Sequence, residues 1–176
     1  MTSVISKGSL TETLLPVLRR PIGLQTRQRA AWHLIDWLGC ALIGQRSKVA
    51  EAFRRELAPE TISDLMLSGR DPARLALAIG SFGSILEMDD VHRTAILHPG
   101  PVVFPAALSV PGEHKGDRFL DAVIRGYEAM IRLGIAIGPA HYRYYHNTAT
   151  CGGFGSAIAA GELMGLSDAE LTSALG

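Results

Sequence analysis

The sequence is poor in cysteine, has no net charge, and shows almost no strand-like alternation. Each shortage removes a class of protein. The two cysteines, Cys40 and Cys151, are far apart and match no metal or redox spacing. Cys40 falls in an apolar helical pattern and is expected to be a small buried residue. Cys151 precedes glycines with no basic residue beside it, which leaves a packed residue and a reactive thiol as alternatives. A reducing, cytoplasmic setting is the default expectation. Seventeen basic residues balance seventeen acidic ones. Bulk charge therefore favours neither nucleic acid nor an anionic membrane, and an anionic partner would have to be bound by local groups. The first residues, MTSVISKGSLTETLLP, lack a basic start followed by an apolar core, so no secretory signal is expected. The long uncharged stretches 95–112 and 144–161 are broken by prolines or by polar residues and glycines, so neither reads as a membrane span.

What is present is helical period. With 47% hydrophobic and 19% charged residues, the 176-residue chain fits one globular domain with a sizeable core. Segments 4–8 and 61–69 are the only short strand candidates. Ser9 with Glu12 forms a capping box for a first helix, which Pro16 should kink or shorten. Thr26 is read as the cap of a second helix ending at Gly44. Its core-facing residues would be Ala30, Ala31, Leu34, Ile35, Leu38, Ala41 and Leu42. Trp32 and Trp37 are expected in the core, with His33 partly exposed. A short helix is expected over 48–57. Asp71-Pro72 opens a helix apolar on nearly every face that runs to Asp89-Asp90, delivering its acidic end from the interior. A further helix spans 117–137 and stops at Gly138-Pro139. A small-residue helix covers 152–165, suited to close helix–helix approach, and Ser167 with Glu170 caps the last one. His114, in a turn, is expected to face solvent. The fold class is therefore all-α, a multi-helix bundle.

Chemistry concentrates in two places. Between Glu87 and His98, three carboxylates (Glu87, Asp89, Asp90) and two histidines (His92, His98) occupy twelve residues, followed by the rigid His-Pro-Gly-Pro turn. Carboxylates that orient or charge a histidine make a proton-transfer site, and a solvated helix end is the plainer alternative. Asp89, Asp90, His92 and His98 also offer metal-type ligands. No pair has the spacing of a zinc helix and no ligand cluster recurs, so no metal is expected. The second place is HYRYYHNTATCGGFG, residues 141–155. Here Arg143 could grip a carboxylate, His146 could be a second acid–base group, and Thr148 and Thr150 offer hydroxyls. The amides of 151–155 are read as lying at a helix start, where anions bind. An anchored surface loop is the alternative.

Together the segments EMDDV, HPGPVVFPAAL and GYEAMIRLGIAIGPAHYRYYHNTATCGGFGSAIAAGELMGLSDAELTSALG resemble the MmgE/PrpD family from about Leu24 onward. The family carries D-F-(D/N)-D-T shortly before H-P-(S/G), and GYE…RLG…HPT…GTFGAA further on. The resemblance implies the helical part of a longer, usually dimeric protein whose smaller α+β lid lies beyond residue 176. On this view residues 1–176 form a single, incomplete helical domain. It also implies a cofactor-independent lyase or isomerase of a small polycarboxylate, 2-methylcitrate dehydratase-like, acting at a proton alpha to a carboxylate. His98 and His146 take the two motif histidines as catalytic residues, with Glu87 and Asp90 orienting them. Asp89, Arg143 and Thr150 would bind substrate. Two positions depart from the pattern: Glu87 replaces the first motif aspartate and Val91 the threonine. The alternative is a non-catalytic helical dimerisation subunit, or a piece needing a lid from a partner chain.

Overall fold

The structure, a computed structural model, describes residues 9–56 and 71–176, the side chains of Arg54 and Glu56 aside. The strand candidates at 4–8 and 61–69 lie outside the described residues. Among those described there are eight helices and no named strand, so the all-α expectation holds.

Helix α1, Leu10–Leu18, starts at the foreseen capping box: Ser9 Oγ accepts from the Glu12 amide, and Glu12 accepts from the Ser9 amide. It ends two residues after Pro16. Helix α2, Leu24–Gly44, begins two residues before Thr26, with Gly23 at its N-cap and no side-chain cap. Thr26 therefore sits within the first turn and caps nothing. One face of α2 buries Ala30, Trp37, Cys40 and Ala41, while Trp32 is 70% exposed and Ile35 and Leu42 point outward. Trp32 was expected in the core; five residues from Trp37, it lies about 140° round the helix, away from the buried face.

Helix α3 spans Lys48–Glu56 and helix α4 spans Pro72–Ser84, the latter capped by Asp71 Oδ1 on the Ala73 amide at 2.9 Å. The apolar pattern suggested that α4 would continue through Asp90. It stops at Ser84 instead, and Glu87 takes a left-handed φ of 53°, which no α-helix accommodates. Helix α5, Gly100–Leu108, buries Pro101, Val103, Phe104, Pro105 and Ala107 and touches α2, α4, α6 and α7. Phe104 packs between the rings of Trp37 and Tyr127, with centroids at 5.6 and 5.5 Å. Truncating such a ring costs about 3–5 kcal/mol.

Helix α6 runs Gly116–Tyr142, with a break at Gly138 (φ 67°, ψ −177°) and a last turn beyond it. The foreseen stop at Gly138-Pro139 is thus a kink within a longer element. Helix α7, Asn147–Met164, starts five residues earlier than 152 and ends on the left-handed Gly165. Helix α8, Asp168–Leu175, has the expected Ser167–Glu170 capping box. Small residues do permit the close α6–α7 crossing: a Cβ on Gly126 would lie 2.8 Å from the Gly155 carbonyl, and one on Gly155 would lie 3.0 Å from that of Gly126. The ends are tied by ions. Glu162 of α7 meets Arg19 and, at 2.5 Å, Arg125, while Arg19 reaches Asp168 at 2.6 Å.

Both cysteines are buried, and burial pushes each thiol above its ordinary pKa, so Cys151 is a packed residue rather than a nucleophile. His114 is half-buried, its Nε2 3.2 Å from the Pro111 carbonyl, where full exposure was expected. Among the described residues no helix is long and apolar enough to cross a membrane.

Candidate active site

The segment between α4 and α5 is irregular but held. A tight turn closes over 92–97: the His92 amide donates to Leu97 O at 2.9 Å and the Ile96 amide to His92 O at 2.8 Å. Ile96 adopts φ 52° inside it. His92 Nδ1 accepts from the Ala95 amide at 3.2 Å, so this histidine is part of the frame. Ala95 and Leu97 are fully buried over α6, where a Cβ on Gly134 would come within 2.5 Å of Leu97. From α7 the buried Asn147 donates its amide to Ala95 O at 2.7 Å, and Thr148 Oγ1 accepts from the His98 amide at 3.0 Å. Those two bonds bring the His98 and His146 segments together.

His98 emerges from this frame against Asp89. Its Nδ1 lies 2.9 Å from Asp89 Oδ2; the carboxylate side chain is 1% exposed and the imidazole 26%. Nδ1 is sealed from solvent, as are both Asp89 oxygens. Neither Asp89 oxygen nor His98 Nδ1 completes a well-aligned hydrogen bond among the described residues, so the 2.9 Å approach is a close polar contact. Burial raises the Asp89 pKa above the ordinary carboxylate value, opposed by its own backbone amide and by His98. A proton on Nδ1 directed at Asp89 leaves the Nε2 lone pair as the basic site, the arrangement in which a carboxylate fixes a histidine's tautomer and orientation.

Asp90, the next residue, turns elsewhere. Its Oδ1 accepts from the Gly100 amide at 2.9 Å, at the start of α5. Its Oδ2 accepts from the Tyr127 hydroxyl at 3.0 Å and lies 3.2 Å from His33 Nδ1. A Cβ on Gly100 would fall 2.5 Å from Asp90 Oδ1, so only glycine fits there. Burial first, then the Asp90 carboxylate, keeps the Tyr127 phenol protonated and hence a donor.

The other sequence-chosen residues scatter. Glu87 is exposed, and its carboxylate makes no ion pair or hydrogen bond among the described residues. His146 is exposed at the N-cap of α7, its ring 5.9 Å from that of Tyr142. Arg143 is exposed, with its guanidinium 5.8 Å above Tyr144, and has no ion pair among the described residues. Thr150 Oγ1 lies 2.9 Å from His141 Nε2, whose ring stacks on Tyr145. The amides of 151–155 lie inside α7 and bond within it, so the anion-binding role read for them is lost. The free first-turn amides belong to residues 147–149. Tyr127, His33, Asn147 and His141 were not read as site residues. The adjacency of two aspartates was the available signal, because neighbouring side chains leave the chain in different directions and each then needs its own partner. Among the described residues no three His, Cys, Asp or Glu side chains are arranged to hold a metal ion.

The sequence that builds this helical frame has known relatives. Residues 19–176 match the MmgE/PrpD N-terminal domain, and the chain belongs to the MmgE/PrpD family. It is similar to the cis-aconitate decarboxylase-like protein oryM of Aspergillus oryzae, 31% identical over 165 residues, covering 85% of this chain and 34% of that protein. It is also similar to the cis-aconitate decarboxylase of Aspergillus terreus, 29% identical over 163 residues, covering 85% of this chain and 33% of that protein. The chain thus spans about a third of the length of these relatives. By its name the Aspergillus terreus relative is a decarboxylase, a lyase, and the Aspergillus oryzae relative is named as decarboxylase-like.

Proposed function

We propose that this chain carries the acid–base centre of a cofactor-independent lyase or isomerase acting on a small polycarboxylate, with His98 Nε2 exchanging a proton at the carbon alpha to a carboxylate. The observation that carries this reading is the 2.9 Å contact of His98 Nδ1 with the sealed carboxylate of Asp89. Asp89 holds the tautomer and does not itself meet substrate. His146, two residues from the Thr148 hydroxyl that fixes His98, is the second acid–base group. Arg143, free of an ion pair among the described residues, grips a substrate carboxylate. Proton removal alpha to a carboxylate leaves an enediolate-like anion, and each well-placed donor at such a charge contributes about 3 kcal/mol. The first-turn amides of α7 are donors of that kind. Further cations would come from a lid, in a longer chain or a partner.

Within this class, a lyase of the cis-aconitate decarboxylase or 2-methylcitrate dehydratase kind is the leading assignment. The changes at Glu87 and Val91 bear on which substrate is accepted, since they lengthen one acid and delete one hydroxyl beside the pair. Solvent deuterium uptake into cis-aconitate, substituted citrates and aspartate-derived imines, followed by NMR, tests the assignment. Uptake into one of them that is lost in His98→Ala supports it. Full uptake in both His98→Ala and His146→Ala sinks it.

A further inference from the structure

The Asp90 cluster stands apart from the proposed proton path, yet it touches the backbone that presents His98. Three residues set where the imidazole points, His98, Pro99 and Gly100, and their backbone donors can be counted in full. The His98 amide goes to Thr148 Oγ1 at 3.0 Å. Pro99 has no amide proton. The Gly100 amide goes to Asp90 Oδ1 at 2.9 Å. On the α5 side the turn's remaining donor is therefore fastened by a single carboxylate oxygen, beside the Pro99 carbonyl, which accepts from the Val102 and Val103 amides at 3.2 and 2.9 Å.

A carboxylate can fasten a turn only if it is itself immobile. Asp90 Oδ2 is engaged by the Tyr127 hydroxyl of α6 at 3.0 Å and approached by His33 Nδ1 of α2 at 3.2 Å. Tyr127 in turn is wedged between Phe104 and His33, with ring centroids at 5.5 and 5.9 Å. The absence of room for a Cβ at Gly100 shows how closely carboxylate and turn are fitted.

We propose that Tyr127 and His33 are positioning residues for His98, acting through Asp90 on the Pro99–Gly100 turn. This rests on the reading of His98 as the acid–base group. Misplacing a catalytic group by about 1 Å costs up to about 100-fold in rate, so loosening one of several tethers is expected to lower turnover by roughly tenfold. The change falls on kcat and leaves KM within about twofold, because on this reading both residues act on the turn and not on substrate.

The test follows amide exchange at Gly100 and the imidazole nitrogen shifts of His98 by NMR, beside turnover. In Tyr127→Phe, Gly100 exchange accelerates, the His98 shifts move and kcat falls by roughly tenfold. In a double variant with Asp90→Ala, Tyr127→Phe adds nothing further, since both act through one carboxylate. His33→Ala, at a side chain 40% exposed and thus safe for folding, moves the same two signals by less. Unchanged Gly100 exchange and unchanged His98 shifts in both single variants overturn the proposal, as do fully multiplicative effects of Tyr127→Phe and Asp90→Ala. The functional reading fails separately. If Gly100 protection depends on Tyr127 but turnover survives His98→Ala, the tether stands and the catalytic role falls. If turnover needs His98 while Gly100 protection ignores both variants, the tether falls.

Discussion

Asp89 and Asp90 are consecutive carboxylates with opposite circumstances. Asp89 is sealed, lies 2.9 Å from one imidazole nitrogen and completes no well-aligned hydrogen bond on either oxygen among the described residues. Asp90 is partly exposed and uses both oxygens, on a backbone amide, a phenol and a second histidine. The first is costly to bury and rewards a reaction; the second is well satisfied and rewards the fold. A carboxylate with incomplete partners that persists in an interior points to chemistry, and a saturated one points to architecture.

The contrast can be broken most forcefully at the imidazole. His98→Ala is expected to lower proton exchange into the accepted polycarboxylate by about 10²–10⁴-fold, read by deuterium NMR, with little change in melting temperature. Asp89→Asn should follow, at up to about 10⁴-fold, because an amide can present the wrong partner to Nδ1 and release the tautomer. The same variant should be neutral or stabilising to urea at pH 7, since it no longer buries a charge. Activity and stability would then part company at this residue, and a parallel loss of both would erase the distinction drawn between the two aspartates. Gly100→Ala tests the other carboxylate: it should lose about 1–3 kcal/mol in urea unfolding by driving a methyl into Asp90 Oδ1. A wild-type-like midpoint would show that the Asp90 contact is slack.

The smallest expected effect is in the pH dependence of stability. The folded pKa of Asp89 is raised, so its contribution is fully present below the ordinary aspartate range, near about pH 4, and is lost as pH rises through the raised value. Urea titrations from acid to neutral pH should show this downward slope in the wild type and a shallower one in Asp89→Asn. Equal slopes would mean that Asp89 is not held against its charge.

Much of the frame was legible because its signals are local. The capping boxes at Ser9 and Ser167, the Asp71-Pro72 start and the glycine-assisted crossing of α6 and α7 each follow from a few neighbouring residues. The errors arose where a local pattern met a tertiary demand. The apolar run into Leu86 reads as helix, but the left-handed Glu87 and the closed turn at 92–97 redirect it so that Asp89 can reach inward. The start of α7 at Asn147 was hidden because Asn-Thr-Ala-Thr has weak helix propensity; Asn147 is held by the Ala95 carbonyl, fifty-two residues earlier. His98 and the join to the second segment could be chosen from sequence. Which aspartate serves the imidazole could not, because that depends on the direction in which an irregular backbone leaves α4.

The crossing of Gly126 and Gly155 has a mechanical consequence. Main chain approaches main chain there, and the Val103 side chain of α5 closes the space beside both glycines. Helix α6 up to Gly138 and helix α7 are therefore expected to move as one body, carrying the floor beneath the Ala95–His98 turn with them. The available pivot is Gly138, whose backbone angles are open to glycine alone and which nothing crowds. Any opening and shutting around His98 should swing the tyrosine-bearing stretch from Pro139 to His146 about that point, while the helical base stays still.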